Sequence, residues 1–148
     1  MSRSQFHIHS RAYLGRALSR LSEQTTEGLF YAALELRCGI EARIDEYAAA
    51  NKYVSLKKAK NWKVVPKFKE LERVSSANVK CAYIGLKMPG ELENKHLYFT
   101  PVSADLTSYV KRLGNCLHAQ TAPPDAMQLR EWMETIAHEL RVACSGTL

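Results

Sequence analysis

The chain lacks a long hydrophobic run, since no stretch approaches the roughly 18 consecutive apolar residues that a membrane-spanning helix needs. We therefore expect no membrane insertion. It also has few cysteines and no Cys-x-x-Cys pair, which argues against a zinc knuckle and a disulfide framework. We interpret them as reduced thiols, mostly buried, in a cytoplasmic protein: Cys38, Cys81, Cys116 and Cys144. No glycine-rich phosphate loop is present, and we expect no cofactor and no metal site.

Length and composition fit one globular domain over residues 1–148. Hydrophobic residues make up 46% and charged residues 24%, which is ordinary for a folded protein and argues against disorder. The first 22 residues contain four arginines and no acidic residue, a pattern that organellar transit peptides also show. We favour the alternative of a first helix there, with Leu14, Leu18 and Leu21 on its core side.

The positive charge is concentrated in one segment. Residues 52–73 hold eight basic and two acidic residues, a balance of +6, which equals the formal net charge of the whole chain. A local basic surface of this kind is typical of a protein that binds a polyanion.

Apolar residues at steps of three and four predict a mainly helical chain. The strongest segment begins at Thr26, a candidate cap, and extends for about six turns. A shorter helix precedes it over 10–24, and Pro66 begins a predicted third helix. Ser103 and Asp125 are candidate caps for helices over 104–120 and 126–144. The long segment carries these residues on one side: Leu29, Ala33, Leu36, Ile40, Ile44 and Tyr47.

Residues 79–102 follow a different pattern. Aromatic and β-branched residues lie on both sides of Pro89-Gly90, which favours a short hairpin or an irregular excursion. The fold class predicted is therefore all-α: an up-and-down bundle of four to five helices with a short β-hairpin-like insertion near 79–102.

The stretch 111–119, KRLGNCLHA, is the strongest candidate site. On a helix, steps of three residues place Arg112 and His118 about 120° apart with Asn115 midway, a polar stripe beside the leucine side. Gly114 lies within the stripe, where the missing side chain would admit another backbone, a second subunit or a ligand. The alternative is that Arg112 is a solvated charge and His118 a residue at the helix end, near the negative pole of the dipole.

Helix order and this motif resemble the HEPN superfamily of small, all-helical and usually dimeric domains. Its signature is an arginine, four to six further residues and a histidine, before a final helix. Here Arg112 and His118 are separated by five residues, and one helix follows. The segment FYAALELRCGIEARI is also similar to the "ALE-R-x-x-IE" second helix of some members. The position after the arginine, often polar in the superfamily, is Leu113 in this chain.

The resemblance implies a metal-independent endoribonuclease whose composite site forms between two protomers of a homodimer, of the toxin or defence type. His118 would move the proton of the ribose 2′-OH, and Arg112 would hold the scissile phosphate. Asn115 would orient one of them or donate a hydrogen bond to phosphate. Arg37 and Glu41, four residues apart, would support the motif from the central helix; the alternative is a salt bridge on a helix flank.

The basic segment supplies a second set of candidate residues. Lysines interleaved with aromatic residues attract phosphates and stack on unpaired bases. The alternative for Trp62 is a place in the core. The expected nucleic-acid-binding residues are Lys57, Lys58, Lys60, Trp62, Lys63, Lys67 and Lys69.

Two further interpretations of the whole chain stay open. One is a non-catalytic helical module that binds RNA or DNA through residues 52–73. The other is a helical subunit that binds a partner protein, such as a cognate antitoxin.

Overall fold

The protein is described by a computed structural model that covers residues 6–50, 66, 68–69, 82–86, 89–90, 95–99 and 102–146. Four helices lie within these residues, which confirms the helical class at the lower end of the predicted number. They are α1 (Ser10–Ser22), α2 (Thr26–Ala50), α3 (Ala104–Cys116) and α4 (Ala126–Cys144). None of the helices described is long and apolar enough to cross a bilayer.

Two short strands, β1 (Ala82–Leu86) and β2 (Lys95–Phe99), pair antiparallel, with Ala82 opposite Phe99 and Leu86 opposite Lys95. Most residues that would join them to each other and to the helices lie outside the described part. The hairpin-like insertion near 79–102 therefore stays a prediction. The predicted third helix, from Pro66, also lies largely outside the described residues.

Side-chain caps explain where α2, α3 and α4 begin. The Ser103 hydroxyl accepts a hydrogen bond from the Leu106 N–H (3.0 Å) at the start of α3. The Asp125 carboxylate accepts one from the Gln128 N–H (3.1 Å) at the start of α4. Both caps are confirmed, because each satisfies an N–H that has no partner within its helix. Thr26 was the wrong cap for α2: the hydroxyl that accepts the N–H of the third helical residue (3.0 Å) belongs to Thr25.

The core is organised around α2, which contacts each of the other three described helices. All six residues predicted on its core side are buried, and Leu36, Ile40 and Ile44 are fully so. Leu34 of the same helix is 45% exposed and does not belong to this buried side.

Glu46 of α2 holds the beginning of α1. Its carboxylate accepts hydrogen bonds from the backbone N–H (2.7 Å) and the hydroxyl (2.8 Å) of Ser10, the first residue of α1. The buried guanidinium of Arg43 donates to the same carboxylate (2.9 Å). A carboxylate at a helix N-terminus satisfies free N–H groups and opposes the positive end of the dipole.

Two arginines hold the end of α4 in the same region. Arg43 donates to the carbonyl of Ala143 (2.9 Å), and Arg11 donates to the carbonyls of Cys144 (2.9 Å) and Gly146 (2.6 Å). The last carbonyls of a helix have no partner within it and favour a nearby cation. The start of α1 and the end of α4 are therefore tied together directly, through Arg11, and also through Arg43 of α2.

Candidate functional site

The end of α3 differs from the sequence-based expectation. The helix ends at Cys116, although the pattern predicted it to continue to Gln120. The side-chain amide of Gln120 folds back and donates to the carbonyls of Asn115 (3.0 Å) and His118 (2.8 Å), taking the place of helical N–H donors. Pro123 and Pro124 follow soon after and cannot continue a helix. His118 therefore lies two residues beyond the last helical residue.

This early end changes the geometry of the predicted polar stripe. The His118 N–H bonds to the carbonyl of Asn115 (3.3 Å), three residues back, as in a 3₁₀ turn. Residues three apart in such a turn lie nearly one above the other. Asn115 and His118 are thus closer in angle around the axis than the predicted α-helix would place them. Arg112, Asn115 and His118 are all exposed.

Arg112 lies against an aromatic residue of the next helix. Its guanidinium carbon is 4.5 Å from the centre of the Trp132 ring, a cation–π contact between α3 and α4. The ring of Tyr109 packs edge-on against Trp132, with centroids 6.0 Å apart and planes at 81°. Burial, and next the Glu139 carboxylate, raise the pKa of Tyr109.

Arg112 also has no carboxylate partner among the residues that the structure describes. The positive charge and the donors of its guanidinium are therefore open to an external anion. Four other arginines each pair with a glutamate at 2.8–3.0 Å: Arg16, Arg20, Arg37 and Arg43.

Arg37 reaches α3 from α2 at Gly114. A Cβ atom added at Gly114 would lie 2.9 Å from the Arg37 Nη1 atom, so the missing side chain leaves room for this guanidinium. Arg37 also pairs with Glu41, its Nε atom 3.0 Å from the carboxylate. The sequence suggested that Gly114 would leave room for a second subunit. Gly114 is instead buried, and Arg37 of the same chain occupies the space beside it.

An open groove of about 570 Å³ lies beside the end of α3. Phe30 of α2 lines one part, and residues 116–124 line the rest, with His118 among them. The Cys116 thiol also lines this groove, and burial raises its pKa although the charge of Arg112 opposes the effect. Cys116 is therefore a neutral thiol at neutral pH and a poor nucleophile.

Other predicted residues fall elsewhere. Lys69 is exposed, whereas Lys57, Lys58, Lys60, Trp62, Lys63 and Lys67 lie outside the described residues. Within the described ranges no three histidine, cysteine or acidic side chains group as metal ligands. Trp132 and Gln120 were not predicted as site residues. Trp132 lies on α4, 20 residues beyond Arg112 in the chain, so no local pattern indicated the contact between them.

Comparison with protein-family models, with curated proteins and with solved structures finds no match to this chain. The resemblance to the HEPN superfamily therefore rests on the Arg112–His118 motif and on the order of the helices.

Proposed function

We propose that the chain is a HEPN-like, cytoplasmic RNA-binding protein that cleaves RNA without a metal, as a homodimer of the toxin or defence type. The observation that carries the proposal is the group of three exposed polar side chains at the end of α3, beside an open groove. Arg112, the basic member of this group, has no carboxylate partner in the described part of the chain.

Each side chain has a definite role in this chemistry. The ribose 2′-oxygen attacks the adjacent phosphorus, the bond from phosphorus to the 5′-oxygen breaks, and a 2′,3′-cyclic phosphate remains. His118 takes the 2′-OH proton, since imidazole is the side chain suited to proton transfer near neutral pH. Arg112 donates in-plane hydrogen bonds to the phosphate and stabilises its developing charge. Asn115, in register with His118, donates a hydrogen bond to phosphate or orients the imidazole.

A homodimer would complete the site. Cleavage requires a base for the 2′-OH and an acid for the departing 5′-oxygen, whereas each protomer offers one His118. Pairing of two α3 ends about a two-fold axis supplies the second imidazole, and the exposure of Asn115 and His118 leaves that approach open. The basic segment and the strand pair, inserted between α2 and α3, would then extend the RNA-binding surface.

The test replaces Arg112 and His118 singly by alanine. Each variant should abolish RNA cleavage in EDTA, and wild-type products should end in cyclic phosphate. The free energy of unfolding should fall by at most about 1 kcal/mol in either variant; for Arg112 this is the value of an exposed cation–π contact. The buried neighbour Leu113 should behave in the opposite way, with Leu113→Ala costing about 2–5 kcal/mol.

Lys111→Ala is the matched control, because it removes an equal exposed charge from the same helix and should retain cleavage. Sedimentation at micromolar concentration should show a dimer. Loss of activity in Lys111→Ala as large as in Arg112→Ala would contradict a specific role for Arg112. A strict monomer that cleaves RNA would contradict the composite site.

The remaining outcomes favour the other functions. Binding of RNA without any cleavage would favour a non-catalytic nucleic-acid-binding module. Failure to bind RNA would favour a subunit for a partner protein, such as an antitoxin. Tyr31 and Leu34, 56% and 45% exposed on α2, are the apolar residues that support this candidate.

A further inference from the structure

The contact between Arg112 and Trp132 is the feature that the predicted motif does not explain. A planar guanidinium over an aromatic face keeps its N–H donors in its own plane, where they can reach a phosphate. A guanidinium paired with a carboxylate has those donors occupied. Among the described residues, Arg112 has an aromatic partner and no carboxylate partner: its guanidinium carbon lies 4.5 Å from the centre of the Trp132 ring.

The ring that receives Arg112 is held in place by its neighbours. Burial, and next the Glu139 carboxylate of the same helix as Trp132, raise the pKa of Tyr109. Tyr109 in turn packs edge-on against the Trp132 ring. Trp132 itself is half-buried against the core, which fixes the position of its ring. The Trp132 ring is thus held in place, and it, rather than a carboxylate of the described residues, receives Arg112.

We propose that Trp132 is a positioning residue that holds the Arg112 guanidinium ready to bind a backbone phosphate of single-stranded RNA. The inference rests on the proposed function for its ligand, but it concerns binding and does not require cleavage. It adds to the Arg112–His118 motif a residue from α4 that sequence spacing did not indicate.

The experiment uses the fluorescence of Trp132 in the full chain. Every variant carries Trp62→Phe, so that Trp132 is the only tryptophan and affinities are compared within one background. The probe is a fully 2′-O-methylated oligoribonucleotide, which has the charge of RNA but no 2′-OH with which to be cleaved. Binding at Arg112 should change Trp132 emission saturably and less at high salt. Arg112→Ala should remove the change, and Lys111→Ala should retain it.

Affinity for a dye-labelled copy of the same probe, measured by fluorescence anisotropy because the Trp132 variants contain no tryptophan, tests the positioning role. Trp132→Leu should weaken binding by about 10- to 100-fold, as should Arg112→Ala, since each removes charge-assisted hydrogen bonds to phosphate. Trp132→Phe, which keeps an aromatic face, should restore most of the affinity. In an Arg112→Ala background, Trp132→Leu should have no further effect, because the two residues act through one contact.

The outcomes separate this inference from the proposed function. Probe binding that needs both residues, with no cleavage of ordinary RNA, would uphold the inference and contradict the ribonuclease. If Trp132→Leu binds the probe and cleaves RNA as well as the wild type does, while Arg112→Ala is inactive, the inference is overturned and the proposed function is not. If Trp132→Leu does not fold, two other results would each overturn the inference. One is a change in Trp132 emission that persists when Arg112 is replaced by alanine. The other is a folded Trp132→Phe variant that binds the probe as weakly as Arg112→Ala does. Failure of the wild-type chain to bind the probe would overturn the inference, and failure also to bind and cleave ordinary RNA would overturn both.

Discussion

At the scale of single residues, two helical glycines show how differently one residue type can be used. A Cβ atom added to Gly39 of α2 would lie 3.2 Å from the Tyr13 Cβ atom and 2.8 Å from a methyl carbon of Leu140. Gly39 therefore lies where α1, α2 and α4 pack closely. Gly15 of α1 is exposed, and nothing outside its own turn lies within 4 Å of its added Cβ atom.

We expect the same substitution to have opposite effects at these two positions. Gly39→Ala should lower the free energy of unfolding by about 1–3 kcal/mol, because the Cβ atom of Tyr13 cannot move without shifting α1. Gly15→Ala should raise it by about 0.5–1 kcal/mol through helix propensity alone. Urea unfolding of both variants measures the difference. Equal stabilisation by the two alanines would show that the helices do not pack closely at Gly39.

Residue patterns predicted much of the core but not contacts between helices. The core side of α2 followed from periodicity, because one buried side of a long helix repeats regularly. On α4, apolar character alone is a poorer guide to burial: Met127 and Val142 are 72% and 51% exposed, whereas Met133 and Ala137 are buried. The contact between Arg112 and Trp132 could not be predicted, since it depends on how α3 lies against α4.

At the scale of elements, the Glu46 carboxylate joins α2 to α1, and its partner Arg43 joins α2 to the end of α4. Burial raises the pKa of Glu46, but hydrogen bonds from the Ser10 N–H, the Arg43 guanidinium and the Ser10 hydroxyl lower it by more. The pKa in the folded state therefore lies below the ordinary value of about 4.3. A carboxyl group with a lowered pKa stabilises the fold above its unfolded pKa and loses that contribution as pH falls through the folded value.

Glu46→Gln should therefore reduce stability most at neutral pH. We expect a loss of about 1–3 kcal/mol at pH 7, because an amide forms weaker hydrogen bonds with Ser10 and Arg43 than the carboxylate does. The difference from wild type should shrink as pH falls below the ordinary carboxyl value of about 4.3 toward the lowered pKa of Glu46 in the folded state. Urea unfolding between pH 7 and pH 3 measures both effects. Glu134→Gln, exposed on α4, is the control and should shift the curve little.

Some helix ends could be predicted from the sequence and others could not. The starts of α3 and α4 were predictable, because Ser and Asp caps act within one turn of the chain. The end of α3 was not, since Gln120 terminates it through two side-chain bonds that no regular pattern marks. The candidate site lies at that end. Its residues were identified from the sequence, but the turn that aligns Asn115 with His118 was not.

At the scale of the whole molecule, the residues that form the core and the residues that supply the net charge lie in different parts of the sequence. The described helices share a core around α2, and their arginines mostly pair with glutamates or helix-end carbonyls. The formal charge of +6 matches the balance of residues 52–73 alone. A long-range attraction for RNA would therefore come mainly from this segment, whereas the end of α3 would supply the specific contacts.

Charge reversal in the basic segment tests this division. Replacement of Lys57, Lys58, Lys60 and Lys63 by glutamate should weaken RNA binding and flatten its salt dependence, because fewer counterions are released. Each lost phosphate contact lowers the slope of log affinity against log salt by about 0.7 for single strands, so a loss of up to about 3 is expected. Fluorescence anisotropy of labelled RNA over a salt series gives the slope. In single reversals, Lys58→Glu should lower the slope more than Arg141→Glu, which changes an exposed charge on α4. An unchanged slope in the fourfold variant, with the helical circular dichroism intact, would show that this segment is not the RNA-binding surface.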